Sequence, residues 1–229
     1  AAFVARGAPA RSTALTADTI TTDGGVVYTP NGLVGIEVNP NLNQTQTYRV
    51  VSNTASEITV DVAGKPALTS VASVGDQYAA IHRYDNVTVR GGAFASMDDQ
   101  IVVTDTMLVD ENGRVTHLDA LLTRTIPRLD LTVGTLHIAK TGRVEADGRG
   151  YLGGTNGHPP GYTVGFTEGA TFRSSGSHGG LGAPYEGGVP DPVHDSLTDP
   201  SDYGSGGARG YYGEHGGDGG GRIVIRAGA

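Results

Sequence analysis

Hydrophobic positions along the chain come in short runs that never settle into a helical stripe over eleven or more residues. From Gly24 onward the runs Val26-Val27-Tyr28, 33–38, 48–51, 58–62 and 77–81 follow one another. Turn residues such as Pro30-Asn31-Gly32, Asn39-Pro40-Asn41 and Gly64-Lys65-Pro66 bound them, which is the pattern of an all-β unit. Residues 1–22 are rich in Ala and Thr with little periodicity. The apolar Phe3-Val4 within them reads either as a strand that pairs elsewhere or as a loosely held terminus.

A second texture begins at Tyr84. Runs of about five residues starting near Asn86, Gln100, Met107, Arg114, Leu129 and Gly142 alternate with Gly or Asn-Asp turns. Val87-Thr-Val89 before Gly-Ala-Phe echoes Leu131-Thr-Val133 before Gly-Thr-Leu. Short similar strands of this kind predict solenoid rungs, in which each coil buries its face only against the next. Asn112-Gly113 predicts one hairpin interrupting the coils. The last apolar run, Ile223-Val224-Ile225, reads as the continuation of Arg143-Val-Glu-Ala, so that residues 148–221 form one long excursion.

That excursion holds 24 of the 37 glycines. Gly207, Gly210, Gly213, Gly216 and Gly219 recur at every third position, as do Gly176, Gly179 and Gly182. A period of three is that of a polyproline II helix, whose backbone groups must pair with neighbours or water. Flexible glycine linkers are monotonous, whereas this one carries eight tyrosines and phenylalanines. Order is therefore expected, with residues 176–182 and 207–219 extended side by side, glycine at the contacts and tyrosines outside. Gly213→Val is then the substitution expected to block the approach.

The division expected is an irregular or sandwich-like β segment over 1–83, solenoid-like rungs over 84–147, the glycine-rich excursion over 148–221 and a returning strand over 222–229. The fold class is all-β: a β-solenoid or β-helix-like stack with a polyglycine II-like excursion.

Composition narrows the function. The chain of 229 residues has no cysteine, so no disulfide framework or thiolate metal site is available. A net charge of −8 with only Lys65 and Lys140 as lysines argues against nucleic acid. No apolar run approaches the roughly 20 residues that a spanning helix needs, so no membrane insertion is expected. The opening Ala-Ala-Phe-Val-Ala has no basic and apolar signal-peptide pattern; such a peptide has been removed or lies outside this sequence.

Candidate chemistry is sparse. Gly148-Arg-Gly-Tyr-Leu-Gly153 matches the dinucleotide pattern, but Gly154-Thr-Asn-Gly-His-Pro-Pro160 follows it where a helix is required. Asp191, Asp195, Asp199 and Asp202 crowd one loop that either folds around calcium or is a solvated acidic turn, and no other cofactor is expected. The histidines are scattered. Arg83, Arg90 and Arg173 are tied by spacing to no carboxylate cluster, so no enzyme is expected. Tyr203, Tyr211 and Tyr212 offer either a platform on which sugar rings stack or covers for the glycine coils.

The order YDNVTVRGGA, GRVEADGRGYLGG, SGSHGGLG, YGSGG and GGGRIVIRA resembles glycine-rich, right-handed β-helix-like modules of large secreted or surface proteins of bacteria. The preceding NPNLNQTQTYRVVSNTASEITVDV looks like the segment that commonly leads into them, and the period-three runs look like polyglycine II sheets of phage tail-fibre adhesins and of the glycine-rich domain of some animal receptor kinases. The resemblance implies an extracellular or cell-surface, structural or adhesive role and carries no catalytic residues. The expected function is a self-assembling subunit of a fibre, coat or adhesin, with strand-like ends at Phe3-Val4 and at Ile223 and Ile225 pairing head to tail into a homo-oligomer or filament. The alternatives are an adhesin module that binds surface glycans and, third, a polysaccharide-degrading enzyme built on a β-helix.

Overall fold

The computed structural model describes residues 10–23, 27–96, 100–120, 128–198, 200–211 and 213–228, with backbone only over 93–96. The protein is all-β: the described residues hold fourteen strands, the single-turn helix α1 (Leu68–Val71) and one 3-10 turn, Val164–Phe166.

The N-terminal strands are β1 (Ala10–Leu15), β2 (Thr19–Thr22), β3 (Glu37–Asn39), β4 (Tyr48–Asn53), β5 (Glu57–Val60) and the first part of β6 (Gln77–Val89). They pair antiparallel in the order β1-β2-β5-β4-β3-β6, and β6 also pairs with β1. Ile20, Val38, Tyr48, Ile58, Leu68 and Tyr78 pack inside, and the hydroxyls of Tyr28 and Tyr78 meet at 3.0 Å. β1 and β2 escape the hydrophobic pattern because several of their inward positions are small or polar: Ala10, Ser12 and Thr22 are buried beside Ile20. The run at Val26-Val27-Tyr28 forms no strand over its described residues; Val27 points to solvent while Tyr28 is buried. β6 crosses residue 83 without a break.

From Ile81 onward β6 changes partner and pairs parallel with β8 (Gln100–Val109). β8 pairs parallel with β10 (Arg128–Ile138), and β10 with β14 (Arg222–Ala227). The shorter β7 (Ala93–Ser96), β9 (Arg114–His117) and β11 (Arg143–Val144) form a second parallel sheet in the order β11-β9-β7. The chain thus passes from one sheet to the other and back. Ile101, Val103, Met107, Val115, Leu129 and Leu131 fill the core of this part.

The register corrects two sequence-based expectations. Val87 is level with Met107 and, through it, with Leu136, whereas Leu131 is level with Ile101 and His82; the echo between 87–89 and 131–133 is not a structural repeat. Asn112-Gly113 makes no hairpin, because β8 and β9 pair with strands of different sheets. It makes a corner, with Asn112 left-handed at φ 58°. The N–H of Arg114 donates to Gly92 O at 2.9 Å and that of Arg143 to Gly113 O at 3.0 Å, so corners stack along with the strands. A side chain at Gly113 or Gly142 would meet the backbone at the end of β6 or β8, with Cβ 2.3 Å from Val89 O or 2.4 Å from Val109 O. This close approach is why glycine stands at the same place in successive corners.

β14 pairs with β10, not with β11 as the similarity of Ile223-Val-Ile225 to Arg143-Val-Glu-Ala suggests. The excursion nevertheless begins and ends at one point, since Gly221 N–H donates to Ala146 O at 2.8 Å. Among its described residues only β12 (Tyr162–Thr163) and β13 (Thr167–Glu168) form ladder pairs.

Residues 204–209 run through the middle of the excursion, and their donors repeat every third residue. Gly204 and Gly207 donate to Gly220 O and Gly217 O, both at 2.9 Å. Ser205 and Ala208 donate to Ser177 O and Ser174 O at 3.1 and 2.9 Å, and Gly206 and Arg209 to Tyr162 O and Pro159 O, both at 2.9 Å. In return Tyr151 N–H and Gly154 N–H donate to Gly204 O and Gly207 O. The segment is thereby bonded to four extended neighbours. The glycines expected at contacts divide accordingly. Gly176, Gly182, Gly216 and Gly219 leave no room for a Cβ beside backbone, while Gly213 faces side-chain atoms no nearer than 3.4 Å and owes its glycine to φ 85°. Residues 174–177 lie beside 205–208, so the expected pairing of 176–182 with 207–219 is met only in part; 216–220 fold back on 204–207 instead.

Candidate functional site

The acidic loop is built around Asp191, whose side chain is fully buried. Its Oδ1 accepts the Ser177 N–H at 2.7 Å, and its Oδ2 accepts the hydroxyls of Thr163 at 2.8 Å and Ser205 at 2.7 Å. His194 stands 3.7 Å away through Nδ1, and its Nε2–H donates to Tyr203 O at 3.0 Å. Asp195 accepts the N–H groups of Asp202 and Ser201 and the Ser201 hydroxyl, with His178 Nε2 at 3.2 Å. The Asp202 N–H is the chief cause that holds the Asp195 carboxyl well below the usual carboxylate range. Asp202 accepts from Tyr151 and from the Tyr203 N–H. Burial first, then the neighbouring Asp202, pushes the Tyr151 phenol up to about 12.

Three of the four aspartates proposed for calcium are therefore brought into one loop, but each faces N–H and O–H donors that a cation would have to displace. Asp199 lies outside the described residues. Among the described residues no three carboxylate or imidazole groups converge on one point.

The tyrosines proposed as a platform separate. Tyr203 packs inward with Tyr151 and Phe166, its ring 6.1 Å from that of Tyr151, and Tyr212 lies outside the described residues. Tyr211 is 63% exposed and covers Arg173, whose guanidinium carbon sits 4.0 Å from its ring centre. Phe172 and Tyr185 flank the same guanidinium at 5.1 and 5.4 Å, and Glu186 pairs with it at 2.9 Å. Phe172, Arg173 and Glu186 all have positive φ, at 41°, 64° and 41°. Non-glycine residues held there carry strain that must be overcome by their contacts. Phe172 and Tyr185 belong to this group yet stand far from Tyr211 in sequence, and only the backbone packing of the glycine segment assembles them.

The remaining described candidates are held in local contacts. Gly150 and Gly153 of the dinucleotide-like run press against Gly220 O and Gly216 O, and residues 154–160 behind it are not helical. Arg83 pairs with Glu37 at 2.8 Å and Arg90 with Asp110 at 2.7 Å. His158 stacks on Tyr162 with ring centres 4.3 Å apart. Phe3 and Val4 lie outside the described residues.

Ile223 and Ile225 stand on β14, which ends the ladder β6-β8-β10-β14. Ile223 packs against the hydrophobic cluster around Met107 and Leu131, and Ile225 is 39% exposed. Gly228 N–H donates to Val133 O at 2.7 Å, and because donors alternate along a parallel ladder, the N–H groups of Ile223, Ile225 and Ala227 point away from β10. No strand among the described residues pairs with that side.

His117 fastens the start of β14. It is wholly buried; its Nδ1–H donates to Leu118 O at 2.8 Å and its Nε2 accepts the Arg222 N–H at 3.2 Å. That pair of bonds requires the neutral ring, and burial holds its pKa below the ordinary 6.5. The unfolded chain therefore binds the proton first as pH falls. The His117 contribution to stability is complete above about 6.5 and declines below it, down to the lowered folded value. Urea midpoints at pH 7.5 and 5.0 should show a loss in the native protein that is smaller in His117→Gln, which keeps an acceptor but does not titrate.

No protein-family model matches this chain, and neither do any curated protein or solved structure.

Proposed function

We propose that the chain is an extracellular, non-catalytic building block of a fibre, coat or adhesin that assembles with copies of itself. In this reading strands β6–β11 and β14 are rungs of a short β-solenoid, and residues 148–221 are a polyglycine II-like bundle set on its side. The single observation that carries it is the outer side of β14. A solenoid whose last rung presents free N–H and C=O groups and an exposed isoleucine is a template for another strand. The occupant proposed is a second copy, with the Phe3-Val4 end as the incoming strand. Such a head-to-tail contact is heterologous and propagates instead of closing. The aromatic group around Arg173 favours a second reading, an adhesin surface for glycans, because exposed rings held in place by strained backbone can stack on sugar faces.

Sedimentation velocity and electron microscopy test assembly. The native chain should give species that grow with concentration. Ile225→Lys, which puts a charge on the edge, and deletion of residues 1–9 should each return it to a monomer with an unchanged circular dichroism spectrum. A strictly monomeric native chain at high concentration would overturn the reading.

A further inference from the structure

Between the N-terminal strands and the outward face of β10 and β14 lies a cleft of about 380 Å³. Arg11, Arg128, Arg222 and Arg226 line it together with Asp76 and Asp130. Four guanidinium groups against two carboxylates make a positive enclave in a chain of net charge −8. Alternation along β14 sends Arg222, Val224 and Arg226 to one face, and the register sets Arg222 directly opposite Arg128 on β10. Like charges in that relation repel.

The two carboxylates are committed. Asp130, 5% exposed, accepts from Arg226 and lies 3.7 Å from Arg128. Asp76 accepts the Ser73 N–H at 2.8 Å, and Arg11 donates to Gly75 O at 2.7 Å. Arg222 remains. Its backbone N–H is taken by His117, but its side-chain Nε is buried and has no hydrogen-bond partner among the described residues. A buried donor without a partner is costly. Guarding a sheet edge explains an arginine that points into solvent; it does not explain one whose donor is buried beside a second arginine.

We infer that this cleft binds an oxyanion, a carboxylate or sulfate either free or carried on a small molecule, with Arg222 as its main partner. A guanidinium fork pairs two donors with either group in one plane, and the volume suits a small molecule. A long polyanion is disfavoured, because the chain as a whole carries a net charge of −8. The inference is independent of assembly: the ligand meets the side chains on the face of β14, whereas a second copy would meet the backbone on its edge.

Calorimetric titration at low ionic strength tests it, with glucuronic acid, glucose 6-sulfate, sodium sulfate and glucose as probes. Saturable binding of at least one oxyanion probe is expected, with none of glucose, and with at least tenfold weaker binding in Arg222→Gln. Arg143→Gln, at a side chain 72% exposed on β11, should bind as the native chain does. Binding of the sugar acids would identify a saccharide ligand, and binding of sulfate alone a free ion, and both support the site. The melting temperature guards against misfolding: Arg222→Gln should melt no lower than the native chain in the absence of anion, since it removes a buried Nε that has no hydrogen-bond partner among the described residues. Absence of saturable anion binding, or binding that Arg222→Gln leaves intact, would overturn the inference.

Discussion

Gly206→Ala is expected to destabilise the protein by about 3 kcal/mol or more, the upper end of what overpacking usually costs. The added Cβ would lie 2.1 Å from Leu152 O and 2.4 Å from its carbonyl carbon. Those atoms are backbone, held in turn by the Tyr162 N–H, which donates to the same Leu152 O at 2.9 Å, so no side chain can rotate aside. Gly216 and Gly219 stand in the same relation to Gly207 O and Gly204 O, at 2.0 and 1.8 Å. Gly217 is the control. Nothing lies within 4 Å of its missing Cβ and its φ is not in the left-handed region, so Gly217→Ala should be neutral, or stabilising by about 0.4–1 kcal/mol through the unfolded chain. Melting temperatures measure the contrast. At roughly 2–4 °C per kcal/mol for a chain of this size, Gly206→Ala should fall by roughly 6–12 °C while Gly217→Ala holds. Equal behaviour of the two would mean that the glycine segment is not packed as described.

Asp191→Ala should cost about 3–5 kcal/mol, the range for removing one partner of a buried charged group. It leaves the Ser177 N–H without its acceptor and takes the anion from beside His194. The hydroxyls of Thr163 and Ser205, 2.7 Å apart, can still bond each other, which keeps the loss from growing further. Since Asp191 joins residues 163, 177 and 205, segments far apart in sequence, its removal should loosen the whole excursion, and hydrogen exchange at Ser177 should rise along with the fall in urea midpoint. A chelator should leave the native midpoint unchanged, because the carboxylate is already satisfied by donors; a fall with chelator that calcium restores would revive the calcium reading.

The all-β class was legible for a local reason: β-branched runs of about five residues separated by Gly, Pro and Asn leave no length for a helix. The sequence also announced order in the glycine segment, since a period of three and embedded aromatics are properties of the chain alone. Strands β3 to β6, β8 to β11 and β14 were legible through such local pattern, and β1 and β2 were not, because Ala10, Ser12 and Thr22 are buried without being hydrophobic. What lay beyond the sequence was partnership. β14 chose β10 over β11 because pairing depends on which strand the returning chain meets, and Val87 stands level with Leu136 instead of Leu131 because register is set by the stacked corners. Tyr203 and Tyr211 look alike in sequence, yet one is packed against Tyr151 and the other covers Arg173. Arg222 reads as an ordinary charge flanking a strand. Only the tertiary structure set it opposite Arg128 and buried its donor, since burial and charge balance are properties of what surrounds a residue and not of the residue itself.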